Sequence, residues 1–189
     1  MLHDIAMNNR SYRRFHQDVS IARDTLVALI DLARLSASGA NRQPLKYIVS
    51  SDPETNARVF PALAWAGYLT EWEGPPDGER PSAYIVILGD TEITTSFGID
   101  HGIAAQSIML GAVERGYGGC MIASIKKEAL RKALEIPDRY EVLLVLALGK
   151  PKELVQIDPV GADGSIKYWR DAAQVHHVPK RALDEIILR

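Results

Sequence analysis

AYIVILGD (residues 83–90) decides the fold. Apolar side chains occupy both faces of this extended run, which predicts a strand covered on both sides rather than one facing water. EVLLVLALG (141–149) has the same character, and KYIVS (46–50) is a shorter β-branched run of the same kind. A fourth, short strand is expected at CMIAS (120–124), after Gly118-Gly119.

Helical patterns lie between the strands. Leu2 to Asn8 forms a short one. Ser20 is a plausible N-cap for a helix carrying Leu26, Leu29, Ile30, Ala33 and Leu35, up to about Ser36. Asp52-Pro53 opens another, with proline where its missing N–H is harmless. A further helical stretch is expected to carry Trp65, Tyr68, Leu69 and Trp72. EGPPDGERPS (73–82) is a loop of mobile composition. The longest periodic segment runs from about Thr95 to Tyr117, roughly 34 Å as a helix. Gly102, Ala104, Ala105, Gly111 and Ala112 keep it thin, and Ile99, Ile103, Ile108, Met109, Leu110 and Val113 leave almost no polar face. Such a helix must be buried, if need be at a subunit interface. A helix over 126–135 and a loop at 158–165 complete the pattern. Helices and strands mix without strict βαβ alternation, which predicts an α+β domain spanning 1–189, with a small sheet between helices.

Bulk composition narrows the function. The chain has 189 residues, 47% apolar and 24% charged, with a net charge of −2, so no global basic field exists for nucleic acid or an anionic membrane. One cysteine, Cys120, excludes an intramolecular disulfide framework and fits a reducing compartment. No signal-peptide pattern and no apolar run of membrane-spanning length is seen, so a cytoplasmic location is expected.

Four clusters can carry chemistry. Arg10, Ser11, Arg13 and Arg14 suit a phosphate dianion, or form a solvated basic helix end. Ser38, Asn41 and Gln43, in a Gly-containing loop, can meet a heteroaromatic edge or a polyol, or form an ordinary turn. GYGGCMIAS (116–124) lets backbone lie close to a flat ligand, or caps a helix; it is neither a dinucleotide-binding fingerprint nor a P-loop. Lys180-Arg181 follows His176-His177, whose adjacency is poor spacing for one metal, so no metal site is expected. Trp65, Tyr68 and Trp72 fall on one helical stripe, either core or an aromatic wall over a flat substrate.

In this order the clusters resemble those of the FMN-dependent nitroreductase family, over nearly the whole chain. NRSYRRF resembles its Arg-Arg-Ser-x-Arg-x-Phe signature through Arg10, Ser11, Arg13 and Phe15, with Asn9 for the first Arg. SASGANRQPL resembles Ala-Pro-Ser-x-x-Asn-x-Gln-Pro-Trp through Ser38, Asn41, Gln43 and Pro44, with Ala37 for Pro and Leu45 for Trp. GYGGCMI resembles Gly-Leu-Gly-Thr-Cys-Trp-Ile, and HVPKRALDEII the basic C-terminal motif. The resemblance implies a three-layer fold, its sheet mixed but mainly antiparallel, in a domain-interlocked homodimer. It implies FMN held by Arg10, Ser11, Arg13, Lys180 and Arg181, and by a partner subunit's Ser38–Gln43 loop. Met121 and Ile122 would lie beside the isoalloxazine, with the backbone of Ala123 and Ser124 facing N5. It also implies NADH or NADPH as electron donor, a nitroaromatic, quinone or similar small acceptor, and ping-pong kinetics. Reductive dehalogenation and oxygen-dependent attack on the flavin occur in the same superfamily, and a non-enzymatic flavin-binding redox sensor is a further alternative.

Overall fold

The computed structural model describes residues 1–189. In chain order the elements are α1 (Leu2–Asn8), β1 (Phe15–His16), α2 (Arg23–Arg34), β2 (Leu45–Ser50), α3 (Pro53–Val59), β3 (Ala83–Asp90), α4 (Asp100–Glu114), β4 (Gly118–Ile122), α5 (Lys127–Ala133), β5 (Tyr140–Pro151), β6 (Val155–Pro159), β7 (Trp169–Arg170), β8 (His176–Lys180) and α6 (Leu183–Ile186).

The main sheet runs β2-β3-β5-β4, with β1 on the last two residues of β5, and every pair is antiparallel. β3 is buried at every residue, as its two apolar faces require. Ala83, Ile85 and Ile87 pack with Leu26 and Leu29 of α2 and Ala105, Ile108 and Met109 of α4. Tyr84, Val86 and Leu88 pack with Val59, Ala62, Trp65 and Leu130 on the other face. Each fully buried aliphatic side chain contributes roughly 1.5–3 kcal/mol, so the two faces together dominate stability. The result is α+β in three layers, with the sheet in the middle. No helix is long and apolar enough to cross a membrane.

Several expectations shift. α2 begins at Arg23 with Ala22 at its N-cap, not at Ser20, and no side chain caps it. The long helix is Asp100–Glu114, about 22 Å rather than 34 Å. It starts late because Gly98 takes a positive φ of 51° and Phe97 folds inward against Gly89. Residues 65–72 form turns, not a helix: Ala66 sits at φ 41°, which right-handed helix cannot accommodate. Loop 73–82 is pinned rather than loose. Glu79 pairs with Arg14 and Lys152, which pull its carboxyl down to about 2, and Gln17 Oε1 accepts from the backbone of Gly78 and Arg80. A second small sheet, β6-β8-β7, occupies the C-terminal region and takes in Asp158 and Pro159, which were expected in a loop.

Candidate active site

The N-terminal arginine segment lies along β4. Ser11 bridges to Gly119, and Tyr12 N–H donates to Gly119 C=O at 2.9 Å. Only glycine allows this approach on the opposite side: a Cβ on Gly119 would stand 2.4 Å from the Ala147 carbonyl oxygen. Two motifs more than a hundred residues apart in sequence thereby share one edge of the sheet.

Arg13 is buried at 8% exposure. Its Nη1 donates to Ser11 C=O at 3.2 Å and lies 3.1 Å from His176 Nε2, while its guanidinium carbon sits 4.8 Å from the Tyr168 ring centre. Burial, with Arg13 and Arg170 nearby, pushes His176 down to about 4. The imidazole is therefore neutral at pH 7 and can accept from Arg13. Glu153 anchors the same segment. Its Oε1 accepts from the backbone N–H of Arg13 and Arg14, and its Oε2 accepts from Arg170 Nη2 at 3.1 Å. No carboxylate reaches the Arg13 guanidinium itself.

Arg13 opens onto a cleft lined by Trp65, Ala66, Gly67, Tyr168 and the run Cys120–Ser124. Met121, Ala123 and Ser124 are exposed on its rim. Burial pushes the Cys120 thiol up, which keeps it protonated. The Trp65 indole lies against Gly74, whose φ of 118° lets the chain pass, and its Nε1 is buried without a partner. Of the expected aromatic stripe, only Trp65 lines the cleft. Tyr68 is half exposed and reaches it through Tyr168, the two ring centres 4.9 Å apart. Trp72 lies under the Arg170 guanidinium, 4.6 Å away, and packs on the core.

The remaining predicted residues lie elsewhere in one copy. Ser38 donates to Asp100 Oδ2 at 2.6 Å and accepts from Gln43 N–H, and Gln43 reaches back to Asn41 C=O. This loop borders a pocket with Ala33, Tyr47 and Ala104, on the α2/α4 face, opposite the face that carries Trp65 and Ile122. Asn41 and Gln43 are exposed at positive φ, held out as a small platform. Arg10 donates to Ala6 C=O, and its Nε is buried without a partner. Lys180 lies four residues beyond His176 on β8, about 13 Å further along the strand, and Arg181 pairs with Glu185. One copy thus joins the first and third clusters, and leaves the Ser38 loop and Lys180-Arg181 apart from them.

Tyr168, Glu153, Arg170 and the pairing of His176 with Arg13 were not expected from the sequence. The aromatic-cationic run YWR (168–170) was the available signal, and Glu153 carried none.

The cleft pairs flat aromatic walls with one buried guanidinium that meets no carboxylate, and with a rim where Met121, Ala123 and Ser124 are exposed and Ile122 is buried. That suits a planar heterocycle with hydrogen-bond acceptors along one edge. A family model described as "Nitroreductase family" matches residues 6–70 and 80–150. The chain is similar to "Putative NAD(P)H nitroreductase YodC" of Bacillus subtilis, 23% identical over 177 residues, covering 78% of this chain and 88% of that one. Its fold is similar to a nitroreductase family protein from Clostridium novyi NT, with a TM-score of 0.67, 24% identity and 98% of each chain covered. It is also similar to an FMN-dependent nitroreductase from Clostridium difficile R20291, with a TM-score of 0.64, 24% identity, and 78% and 86% covered.

Proposed function

The chain belongs to the nitroreductase family, and on that premise we propose that it is an FMN-dependent oxidoreductase passing electrons from NADH or NADPH to a nitroaromatic, quinone or similar organic acceptor. The observation that carries this is the joining of Arg10–Arg14 to β4, which sets a buried Arg13 into one cleft with Met121–Ser124. The residues fit the cofactor. Arg13 has no carboxylate partner, Arg10 Nε is buried and unpartnered, and the rim with Met121, Ala123 and Ser124 exposed leaves room for a flat ring.

FMN, when bound, supplies the redox chemistry. The chain's own residues hold and tune it. Arg13 would face the electron-rich edge of the ring and stabilise the negative charge that reduction adds there. His176, kept neutral, and Glu153, on the backbone, would keep that guanidinium aimed. Met121 and Ile122 would flank the ring, and the backbone of Ala123 or Ser124 would offer an N–H to N5. Trp65 and Tyr168 would wall the space in which donor and acceptor take turns, which gives ping-pong kinetics. Arg10, with Ser11, would hold the phosphate; Lys180 and Arg181 would reach it only from another arrangement of chains.

The assembly follows from what one copy lacks. The Ser38–Asn41–Gln43 platform lies on the face opposite the cleft, so it can meet a flavin only in a second copy's cleft. Ile99 on α4 is 75% exposed and Leu188, after α6, is 90% exposed. Apolar surface of this kind is what a homodimer interface covers. The test is whether the purified full chain carries FMN and turns over a nitroaromatic or a quinone with NADH or NADPH. Flavin reduction by either nucleotide without reoxidation by any acceptor would favour the redox sensor instead.

A further inference from the structure

Behind the cleft, on the same face of the sheet, a separate recess lies between loop 77–82, the first turns of α3 and the start of β3. Two of its polar side chains are not spent on the fold, whereas Asn56 and Gln17 bond to the backbone of the same loop. Ser82 is 7% exposed, and its Oγ has no hydrogen-bond partner. Arg80 also borders the recess, with its Nε buried and unpartnered. The guanidinium meets no carboxylate and lies 4.4 Å over the Phe60 ring. The phenol of Tyr84 borders the recess too; burial pushes it well up, and the nearby Arg80 cation opposes this only in part. Ser51 adds a hydroxyl. Nothing here touches Arg13 or Met121–Ser124.

The half-buried Arg80 guanidinium, with its Nε enclosed, and two or three free hydroxyls around one space leave an unmet demand for an anion, because each unpaired buried donor costs free energy until it is satisfied. The rest of the lining selects among anions. One cation is present, and Asp77 stands at the rim, so a dianion would meet repulsion without a second positive partner. Pro53, Ala57, Phe60 and Pro81 supply apolar walls that an inorganic ion would not use.

We infer that this recess is a second ligand site, for a small organic monocarboxylate whose carboxylate meets Arg80, Ser82 and Tyr84 and whose apolar part lies against Phe60. The loop is already held for it: Glu79 is clamped by Arg14 and Lys152, and Gln17 fixes the backbone at Gly78 and Arg80. The site also abuts the cleft. Phe60 touches Trp65, their ring centres 5.8 Å apart, so an occupant pressing on Phe60 bears on the cleft wall.

The test is a backbone-amide NMR titration of the full chain, as purified, with butyrate and, separately, with inorganic phosphate. Butyrate is expected to shift Arg80, Ser82 and Ser51 saturably, and Arg80→Gln to weaken it at least tenfold. Ser82→Ala, which removes one hydroxyl and leaves the loop's anchors intact, is expected to weaken it severalfold. Three results would each overturn the inference: no saturable shift around residues 77–84; shifts confined to 120–124; or butyrate affinity unchanged in both variants. Phosphate binding in preference to butyrate would refute the carboxylate assignment. The readout does not depend on bound flavin, so it stands or falls apart from the proposed redox activity.

Discussion

Arg13 Nη1 lies 3.1 Å from His176 Nε2, across 163 residues of sequence. That contact fastens the C-terminal sheet to the segment that enters the cleft. It also makes the cleft's one buried charge depend on a neutral imidazole.

Adjacent histidines on β8 should therefore be shifted in opposite directions from the ordinary imidazole value. His177 is held up by Asp158, at 2.6 Å, and by Asp171, while His176 is held down to about 4. His177 is raised in the folded chain, so its contribution to stability is present below 6.5 and is lost as pH rises through its folded value. His176 is depressed, so the folded chain is penalised as pH falls from 6.5 towards 4, where only the unfolded chain takes the proton. Imidazole nitrogen NMR at pH 6 should find His177 protonated and His176 neutral. Two histidines titrating together near 6.5 would contradict this.

Glu153 satisfies two backbone N–H groups and Arg170 at once, with no exposed side-chain surface. Glu153→Gln leaves Arg170 facing an amide, and should cost roughly 3 kcal/mol in denaturant unfolding. A loss under about 0.5 kcal/mol would place that carboxylate outside the fold's essential contacts.

Gly119→Ala should cost about 2 kcal/mol or more, because the new methyl meets a carbonyl of β5 that the sheet holds in place. Thermal unfolding measures it. A neutral result would mean that β4 and β5 leave room for a methyl group at this point.

Arg13→Gln keeps a hydrogen-bonding side chain in place of the guanidinium. One charge-assisted hydrogen bond is worth about 1.5–3 kcal/mol, so FMN affinity should fall by about ten- to a hundredfold. Quenching of FMN fluorescence on binding reads this directly, and circular dichroism checks the fold. Unchanged affinity would remove Arg13 from the flavin site.

Much of this was legible from the sequence, for reasons that differ by element. β3 and β5 announce themselves because a strand covered on both faces must be apolar throughout. β6, β7 and β8 do not: they carry His176, His177, Asp158 and Pro159, and are held by ion pairs and edge pairing rather than an apolar face. The Trp65–Trp72 spacing imitated a helix by coincidence, since the backbone at Ala66 turns left-handed and the aromatics are placed by tertiary contacts. At the site, Arg13 and Met121–Ser124 were legible as candidates, because local motifs carry them. Glu153, Tyr168 and His176 were not, because their role exists only once the C-terminal sheet folds back onto the N-terminal segment. Lys180 and Arg181 were expected to meet the N-terminal arginines within one copy or across a dimer; within one copy β8 carries them away from Arg13.

Size-exclusion chromatography of the full chain, monitored at once for protein and for visible flavin absorbance, tests the central claim most directly. Flavin should co-elute with a dimer at one FMN per chain. A colourless protein after incubation with FMN, or a monomer that holds FMN in equimolar amount, would contradict a cofactor held in the seam between two copies.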